Sequence, residues 1–402
     1  MALNCRLCDG VSNAKWLMTI TDVETYIAGN PWKNWLFCRV QTDEGVTGIG
    51  EGTVNGFGKT TEAAIHEMFQ LAKGMNPFDT SRLSLLLFRD FFSDGGQIQG
   101  AALSAIETAC WDIKGKVLGV PLYQLLGGKV HDRLRVYANG WYQAENGRTP
   151  ESFAEQAQQV VAKGYTALKF DPFGDAWRVV DPKEFRLAVD LIAAVREAVG
   201  SDVDILVEGH NRFSVATALQ FANAIAPYRP SWFEAPVPPN RIDSMIEVAK
   251  HSPVPVACGE DYYSREQFSE LLQHDVVSII QLEPQHMGMT AARDVVGMAH
   301  AHNAVMAPHS AQGPICSLVC AHLNAASPNF YLHEFFDEFN ADWESNLLTF
   351  HLTQQNGFIE PPRAPGLGAD LNLDEIALHP YQQGNFLPLF RTGWERRKGF
   401  QA

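Results

Sequence analysis

Glu208, Glu234 and Glu260 each close a short apolar run, and each follows the one before it by 26 positions. The runs are Ile205-Leu206-Val207, Trp232-Phe233 and Val256-Ala257-Cys258-Gly259. A strand, a loop and a helix together take roughly 25 to 30 residues, so the spacing is that of successive β/α units whose parallel strands end in carboxylates. In a closed barrel the C-terminal strand ends converge on one mouth. Three ionised carboxylates there repel one another unless a cation lies between them. An all-oxygen donor set, without thiolates or clustered imidazoles, suits a hard divalent ion and favours Mg2+ over Zn2+. Independent structural ion pairs, the bland alternative, give no reason for equal steps after apolar runs.

Other side chains with chemical potential fall at the same predicted mouth. His309 ends the seventh strand in Met306-Ala307-Pro308-His309, and Glu283 ends the sixth. Neighbouring strand ends would let the carboxylate accept from the imidazole, fixing its tautomer and raising its basicity. His210 lies two residues past Glu208, on the same side if the strand continues that far. Lys169, near the end of the second strand, places an ammonium beside the glutamates as their structural partner or as a substrate contact. Glu334, ending the eighth strand, meets a substrate oxygen or joins a buried ion pair. His300-x-His302 resembles a metal-binding HxH but falls at the end of a helix, where a solvated terminus is the expected role. Walker, GxGxxG-after-strand and GxSxG patterns are absent, which removes nucleotide-binding and serine-hydrolase chemistry.

The elements that must position these residues alternate from residue 135 onward. Predicted strands are Arg135 to Trp141, Thr166 to Phe170, Asp204 to Val207, Trp232 to Ala235, Val254 to Cys258, Val277 to Leu282, Ala304 to Ala307 and Phe330 to His333, with seven helical stretches between them. The second helix starts at Asp181-Pro182, an N-cap followed by proline at the first helical position. The fold class is α/β, a modified TIM barrel of (β/α)7β type. Residues 1–134 read as an N-terminal α+β domain, with strand, turn and strand from Trp16 to Glu51 and a helix over Ala101 to Leu118 stopped by Gly119 and Pro121. Residues 135–362 are the barrel. Residues 363–402 form a C-terminal segment that follows the Pro- and Gly-rich stretch Pro361 to Gly368 and returns to the first domain.

A chain of 402 residues, 46% hydrophobic and 19% charged, can build two full cores, and its net charge of −15 with no basic run argues against nucleic acid or an anionic membrane as partner. No signal-like start or apolar run of transmembrane length is present, so a cytoplasmic location is expected. Seven cysteines, mostly in apolar context, suit reduced thiols; Cys5-x-x-Cys8 lacks the second pair a zinc site needs.

Ala105-Ile106-Glu107-Thr108-Ala109-Cys110-Trp111-Asp112-Ile113-Lys114-Gly115-Lys116, then Pro121-Leu122-Tyr123-Gln124-Leu125-Leu126-Gly127-Gly128, and the serial glutamates together resemble the enolase superfamily, in its mandelate racemase subgroup and among the acid-sugar dehydratases. The resemblance covers nearly the whole chain. It implies a capping domain over the barrel, Mg2+ on Glu208, Glu234 and Glu260, and closure by cap loops around Trp32 to Trp35 and Asn55 to Lys59. Racemases of the family carry Lys-x-Lys on the second strand; Lys169-Phe170-Asp171 lacks the second lysine, which disfavours a lysine base. Glu208 and Glu283 stand where aspartate is usual, and Glu208-x-His210 looks like the Asp-x-His of galactonate dehydratases. The implied reaction is dehydration of an aldonate: His309, oriented by Glu283, takes the α-proton to give an enediolate, and His210 protonates the departing 3-hydroxyl, giving a 2-keto-3-deoxy acid. The two histidines exchange roles if the C2 configuration is inverted. Trp32, Trp141, Asp171 and Gln285 are the expected substrate contacts, and a homo-oligomer is expected. A cycloisomerase acting on a lactone or anhydro-sugar acid is the nearest alternative. A catalytically silent sugar-acid binding protein is another.

Overall fold

The computed structural model describes residues 17–143 and 147–398; the Cys5-x-x-Cys8 pair lies outside them. The N-terminal unit opens with an antiparallel sheet of β1 (Ile20–Asn30), β2 (Lys33–Thr42) and β3 (Thr47–Glu51), in that order. The sequence reading of strand, turn and strand is short by one strand, because a second tight turn sits at Pro31-Trp32. Asn30 makes it: its Oδ1 accepts from the N–H groups of Trp32 and Lys33, both at 2.9 Å, so the side chain substitutes for the backbone acceptor a turn requires. The turn signal Thr42-Asp43-Glu44-Gly45, within the stretch read as strand, turn and strand, joins β2 to β3. Four helices follow, α1 (Gly58–Ala72), α2 (Thr80–Arg89), α3 (Gly96–Leu118) and α4 (Leu122–Leu125). The α3 helix is buried along most of its length between sheet and barrel, and Gly119 ends it at φ +69°.

The barrel strands are β4 (Leu134–Ala138), β5 (Ala167–Phe170), β6 (Asp204–Glu208), β7 (Trp232–Glu234), β8 (Val256–Cys258), β9 (Ile279–Ile280), β10 (Val305–Met306) and β11 (His333–Phe335). They pair in parallel in the order β10-β9-β8-β7-β6-β5-β4-β11. The last strand is displaced from its predicted Phe330 to His333. Residues 330 and 331 instead close the cylinder: Met306 N–H donates to Asn329 O at 2.8 Å and Tyr331 N–H to Met306 O at 2.9 Å, while His333, Glu334 and Phe335 pair with Val136, Tyr137 and Ala138. Tyr137, Leu206, Trp232 and Ile279 belong to the packed layer inside the barrel, and a larger apolar layer joins strands to helices. Those helices are α5 (Pro150–Ala162), α6 (Pro182–Val199), α7 (Val215–Ile225), α8 (Ile242–His251), α9 (Arg265–Leu272), α10 (Gly288–Ala301) and α11 (Pro314–Ala326). The Asp181 cap on α6 accepts from the N–H groups of Lys183 and Glu184.

After β12 (Phe358–Ile359), antiparallel to β4, the chain returns to the N-terminal unit. Leu122 N–H donates to Gly366 O, and Leu367 N–H to Asp112, each at 2.8 Å. Beyond α12 (Leu373–Leu378) the tail crosses the β1–β2 hairpin, with Gly29 N–H on His379 O and the Asn34 amide on Gln382 O. Cys38, Cys110, Cys258, Cys316 and Cys320 are buried free thiols. Among the described residues no helix is long and apolar enough to cross a membrane.

Candidate active site

Glu208 and Glu234 are register partners on adjacent parallel strands, so their side chains leave β6 and β7 together. Glu260 lies two residues past β8, reached through Gly259 at φ +133°, where a Cβ would press on Phe268 and the backbone of Gln281. One oxygen from each of the three carboxylates lies within 4.8 Å of the others. Burial, then Glu208, push Glu234 up to about 8, and the same two causes raise Glu260 well above the usual carboxylate range. Glu208 Oε2 is buried and makes no hydrogen bond, although Lys169 Nζ stands 3.1 Å away. An all-oxygen donor set whose carboxylates repel one another fits a hard divalent cation such as Mg2+.

Lys169, on β5, is fully enclosed by acids: Nζ lies 2.5 Å from Glu234 and 2.8 Å from Glu334. Burial works against its charge, but Glu234 and Glu334 outweigh that and hold its pKa well above normal. Glu334, against the burial penalty, is pulled down to about 2 chiefly by Lys169. Asn139 donates to Glu334 Oε1 at 2.7 Å and Ser310 N–H to Oε2 at 2.8 Å.

Two histidines, each held by an acid, complete the mouth. His309 N–H donates to Leu282 O at 3.0 Å, extending the β9–β10 pairing and setting the ring against Glu283, with Nδ1 2.7 Å from Glu283 Oε2. Its Nε2 faces Glu260 Oε2 at 3.3 Å. Burial lowers the His309 pKa, but Glu260, Glu334 and Glu283 carry it up to about 10. Glu283 is lowered against burial by the His309 bond, and Gln285 N–H and the Cys316 thiol also point at it.

His210 does not sit on an extended strand. The β6 strand ends at Glu208, and His210 and Asn211 take left-handed conformations at φ +45° and +57°. The turn is fixed by His210 N–H donating to Glu208 Oε1 at 2.7 Å and Asn211 N–H to Ala235 O at 2.7 Å. It turns the imidazole to Asp171, with Nδ1 2.6 Å from Oδ2. Arg212, fully buried, also pairs with Asp171 and donates to Gly174 O at 2.6 Å. Burial lowers the His210 pKa in spite of Asp171.

A cavity of about 340 Å³ opens above this floor, and Lys169, Glu208, Glu260, His210, His309 and Trp32 all line it. Three expected substrate contacts lie elsewhere. Asp171 is buried and taken up by His210 and Arg212. Trp141 points into an aromatic cluster with its indole N–H on Lys169 O at 2.9 Å. Gln285 is buried behind Glu283. None of the three is part of the cavity wall. Sequence reasoning missed Arg212, whose signal was an arginine directly after Gly209-His210-Asn211. It also missed the tail: Leu387, Leu389, Trp394 and Arg397 form part of the wall, and Trp394 stands edge-on to His210 at 5.6 Å. Nothing local in their sequence marks them. His302 lies at the end of α10 with Asp275 at 2.9 Å, away from this mouth.

Residues 152–376 match the family described as enolase C-terminal domain-like, and residues 23–127 match the mandelate racemase / muconate lactonizing enzyme N-terminal domain. Among similar proteins, a D-gluconate dehydratase of Thermoproteus tenax is 35% identical over 92% of this chain and 75% of its own length. A D-galactonate dehydratase of Ralstonia nicotianae is 34% identical over 88% of this chain and 92% of its own. Among solved structures, a member of the enolase superfamily from Salmonella Typhimurium superposes with a TM-score of 0.86 at 30% identity, covering 90% of this chain and 99% of that one. A mandelate racemase/muconate lactonizing enzyme from a Jannaschia species gives 0.85 at 32% identity, covering 90% and 98%.

Proposed function

Because the chain belongs to the mandelate racemase and muconate lactonizing enzyme family of the enolase superfamily, we propose that it is a hydro-lyase that dehydrates an aldonate to a 2-keto-3-deoxy sugar acid. The observation that carries this reading is the pair of acid-held imidazoles facing one cavity, His309 on Glu283 and His210 on Asp171. They follow β10 and β6, four strands apart in an eight-stranded cylinder, which sets them on opposite walls. Dehydration needs that arrangement: a base for the α-proton, and an acid for the departing 3-hydroxyl. In this reading residues 1–134 cap the barrel of residues 135–362, and residues 363–402 return over it.

His309 keeps Nδ1 on Glu283 and takes the α-proton at Nε2, and the Glu283 carboxylate steadies the imidazolium that forms. His210 keeps Nδ1 on Asp171 and delivers a proton from Nε2 to the leaving hydroxyl; a pKa lowered by burial makes its imidazolium the stronger acid. Lys169 supplies a fixed positive charge, held by Glu234 and Glu334, next to the substrate carboxylate on which charge develops. Mg2+, held by Glu208, Glu234 and Glu260, would supply Lewis-acid stabilisation of that carboxylate and offset the Glu260 charge that favours protonated His309. Trp394 and Trp32 cover the mouth and limit water.

The test is a panel of aldonates with Mg2+, read by 2-keto acid formation, with His309→Asn as control. Formation of a mass-conserved isomer instead of a dehydrated product would replace this reading with cycloisomerisation, and tight binding without turnover across the panel would replace it with a binding function.

A further inference from the structure

The cavity wall carries three lysine or arginine side chains, Lys33, Lys169 and Arg397. Lys169 is held by three glutamates. Lys33 Nζ is taken up by Ala311 O at 2.7 Å and Gln312 Oε1 at 3.0 Å. Arg397 differs: Tyr142 shares a hydrogen bond with its guanidinium, but Nη1 is buried and has no hydrogen-bond partner among the described residues. The residue is only 8% exposed, and its guanidinium carbon lies 4.6 Å from the ring centre of Phe336 and 5.2 Å from that of Trp32. Aromatic faces steady the plane of a guanidinium but satisfy none of its in-plane donors. A charged donor left unsatisfied out of water is costly, so the position calls for an acceptor that arrives from the cavity.

The surrounding chain is shaped to this side chain. Gly140, at φ +91°, follows β4 where any Cβ would collide with the Arg397 guanidinium and press on Phe336 at 2.7 Å. Arg397 itself sits at φ +51°, with its N–H on Trp394 O at 2.9 Å. It therefore enters from the tail, on the wall made by the β1–β2 hairpin and the loop after β11, while Lys169 and both histidines rise from the barrel.

We propose that Arg397 binds substrate, its guanidinium donating to oxygen atoms at the end of the acid sugar remote from the carbon that loses its proton. This rests on the acid-sugar reading above. The shared chemistry is a cluster of acceptor oxygens. It is met by the terminal hydroxyls of an aldonate or by the second carboxylate of an aldarate, the latter able to take two parallel hydrogen bonds.

The experiment titrates aldonates and aldarates, with Mg2+ present, into His309→Asn, which retains the cavity without turnover, and into His309→Asn combined with Arg397→Gln. The best-bound acid should bind at least about tenfold more weakly in the double variant, the loss expected for a hydrogen bond to a charged group. A larger loss for aldarates than for aldonates identifies a carboxylate as the acceptor; equal losses identify hydroxyls. On the active background, Arg397→Gln should raise KM and leave kcat within a few-fold, with added guanidinium ion restoring part of the affinity. If the glutamine variant loses its melting transition, Arg397→Lys carries the same comparison. Turnover by the wild type together with affinity unchanged by the substitution overturns the role of Arg397 and leaves the dehydratase reading intact. No binding and no turnover of any acid sugar overturns both.

Discussion

Replacing Glu234 by Gln separates the electrostatic and coordinating roles of the central carboxylate. In the metal-free protein the charge of Glu234 is a net cost: burial and Glu208 push it up to about 8 even with Lys169 at 2.5 Å. The amide removes that charge, keeps the size, and retains an oxygen to accept the Trp232 indole N–H that Glu234 Oε2 now receives at 2.7 Å. In chelator, the variant should therefore melt no lower than the wild type. Mg2+ should change the order. A ligand that binds only the folded state at one hundred times its Kd stabilises by about 2.7 kcal/mol. For 402 residues the unfolding entropy is about 0.8 kcal/mol per kelvin, so the wild type should rise by about 3 °C. Glu234→Gln should show little of that rise and no dehydration. Scanning calorimetry with and without Mg2+ measures both quantities. A variant that melts well below the wild type in chelator, or that keeps the full Mg2+ shift, would refute the account of a repulsive cluster awaiting a cation.

His309→Asn should lower kcat by about 10²- to 10⁴-fold, the range for a lost general base, while keeping the Mg2+-dependent melting shift, because no ligand is removed; loss of that shift would mean that His309 acts on the metal site instead. Asp171→Asn should cost a comparable factor in kcat by freeing His210 and leaving Arg212 buried without its anion, with a drop in melting temperature that Arg212→Met added to it partly restores. Acid should destabilise the fold through His322 and His333, both buried and lowered to about 4. Their unfolded forms bind protons below about 6.5 while the folded forms do not, so stability is full above that pH and falls as the pH drops towards 4, by up to about 3 kcal/mol apiece. His322→Gln, which removes one such titration, should flatten the melting temperature against pH in that window; an unchanged slope would count against the assignment.

What could be read from the sequence divides along a physical line. The strand-end glutamates were legible because a parallel strand covered on both faces is a continuous apolar run, and the residue that ends it is visible by contrast. Glu283 and His309 could be paired because they end consecutive strands, and consecutive strands in a barrel are neighbours. The partner of His210 could not be found that way. It depends on the left-handed turn at His210 and Asn211, which few non-glycine sequences signal. Trp141, Asp171 and Gln285 were assigned to the mouth by proximity along the chain, but all three are buried and none is part of the cavity wall, which sequence position alone does not decide. The extra strand in the N-terminal sheet followed from Asn30 capping its own turn, a signal present at Asn30-Pro31 and weaker than the Asp43-Glu44-Gly45 turn beside it.

For an acidic protein to bind the acid sugar proposed above, the site needs a local inversion of sign. Glu208, Glu234 and Glu334 surround Lys169, and Glu260 joins Glu208 and Glu234 beside them, an arrangement of four acids and one base that would repel a carboxylate. A divalent cation on three of them would bring the group close to neutrality. Lys33 and Arg397, contributed by the first hairpin and the tail, would then add positive charge to the upper wall. At a Debye length of about 8 Å in physiological salt, the remaining surface charge is largely screened from the cavity, so the chain's −15 does not decide the sign of its ligand. On the proposed reading, the barrel floor would select which carbon reacts, and the first hairpin and the tail above it would select which acid enters. The prediction peculiar to this division is that substitutions at Trp32 or Arg397 change the ranking of acids by KM, while substitutions at Lys169 lower turnover of every acid alike. A Trp32→Ala variant that lowered kcat for all acids equally would show that floor and wall do not act separately.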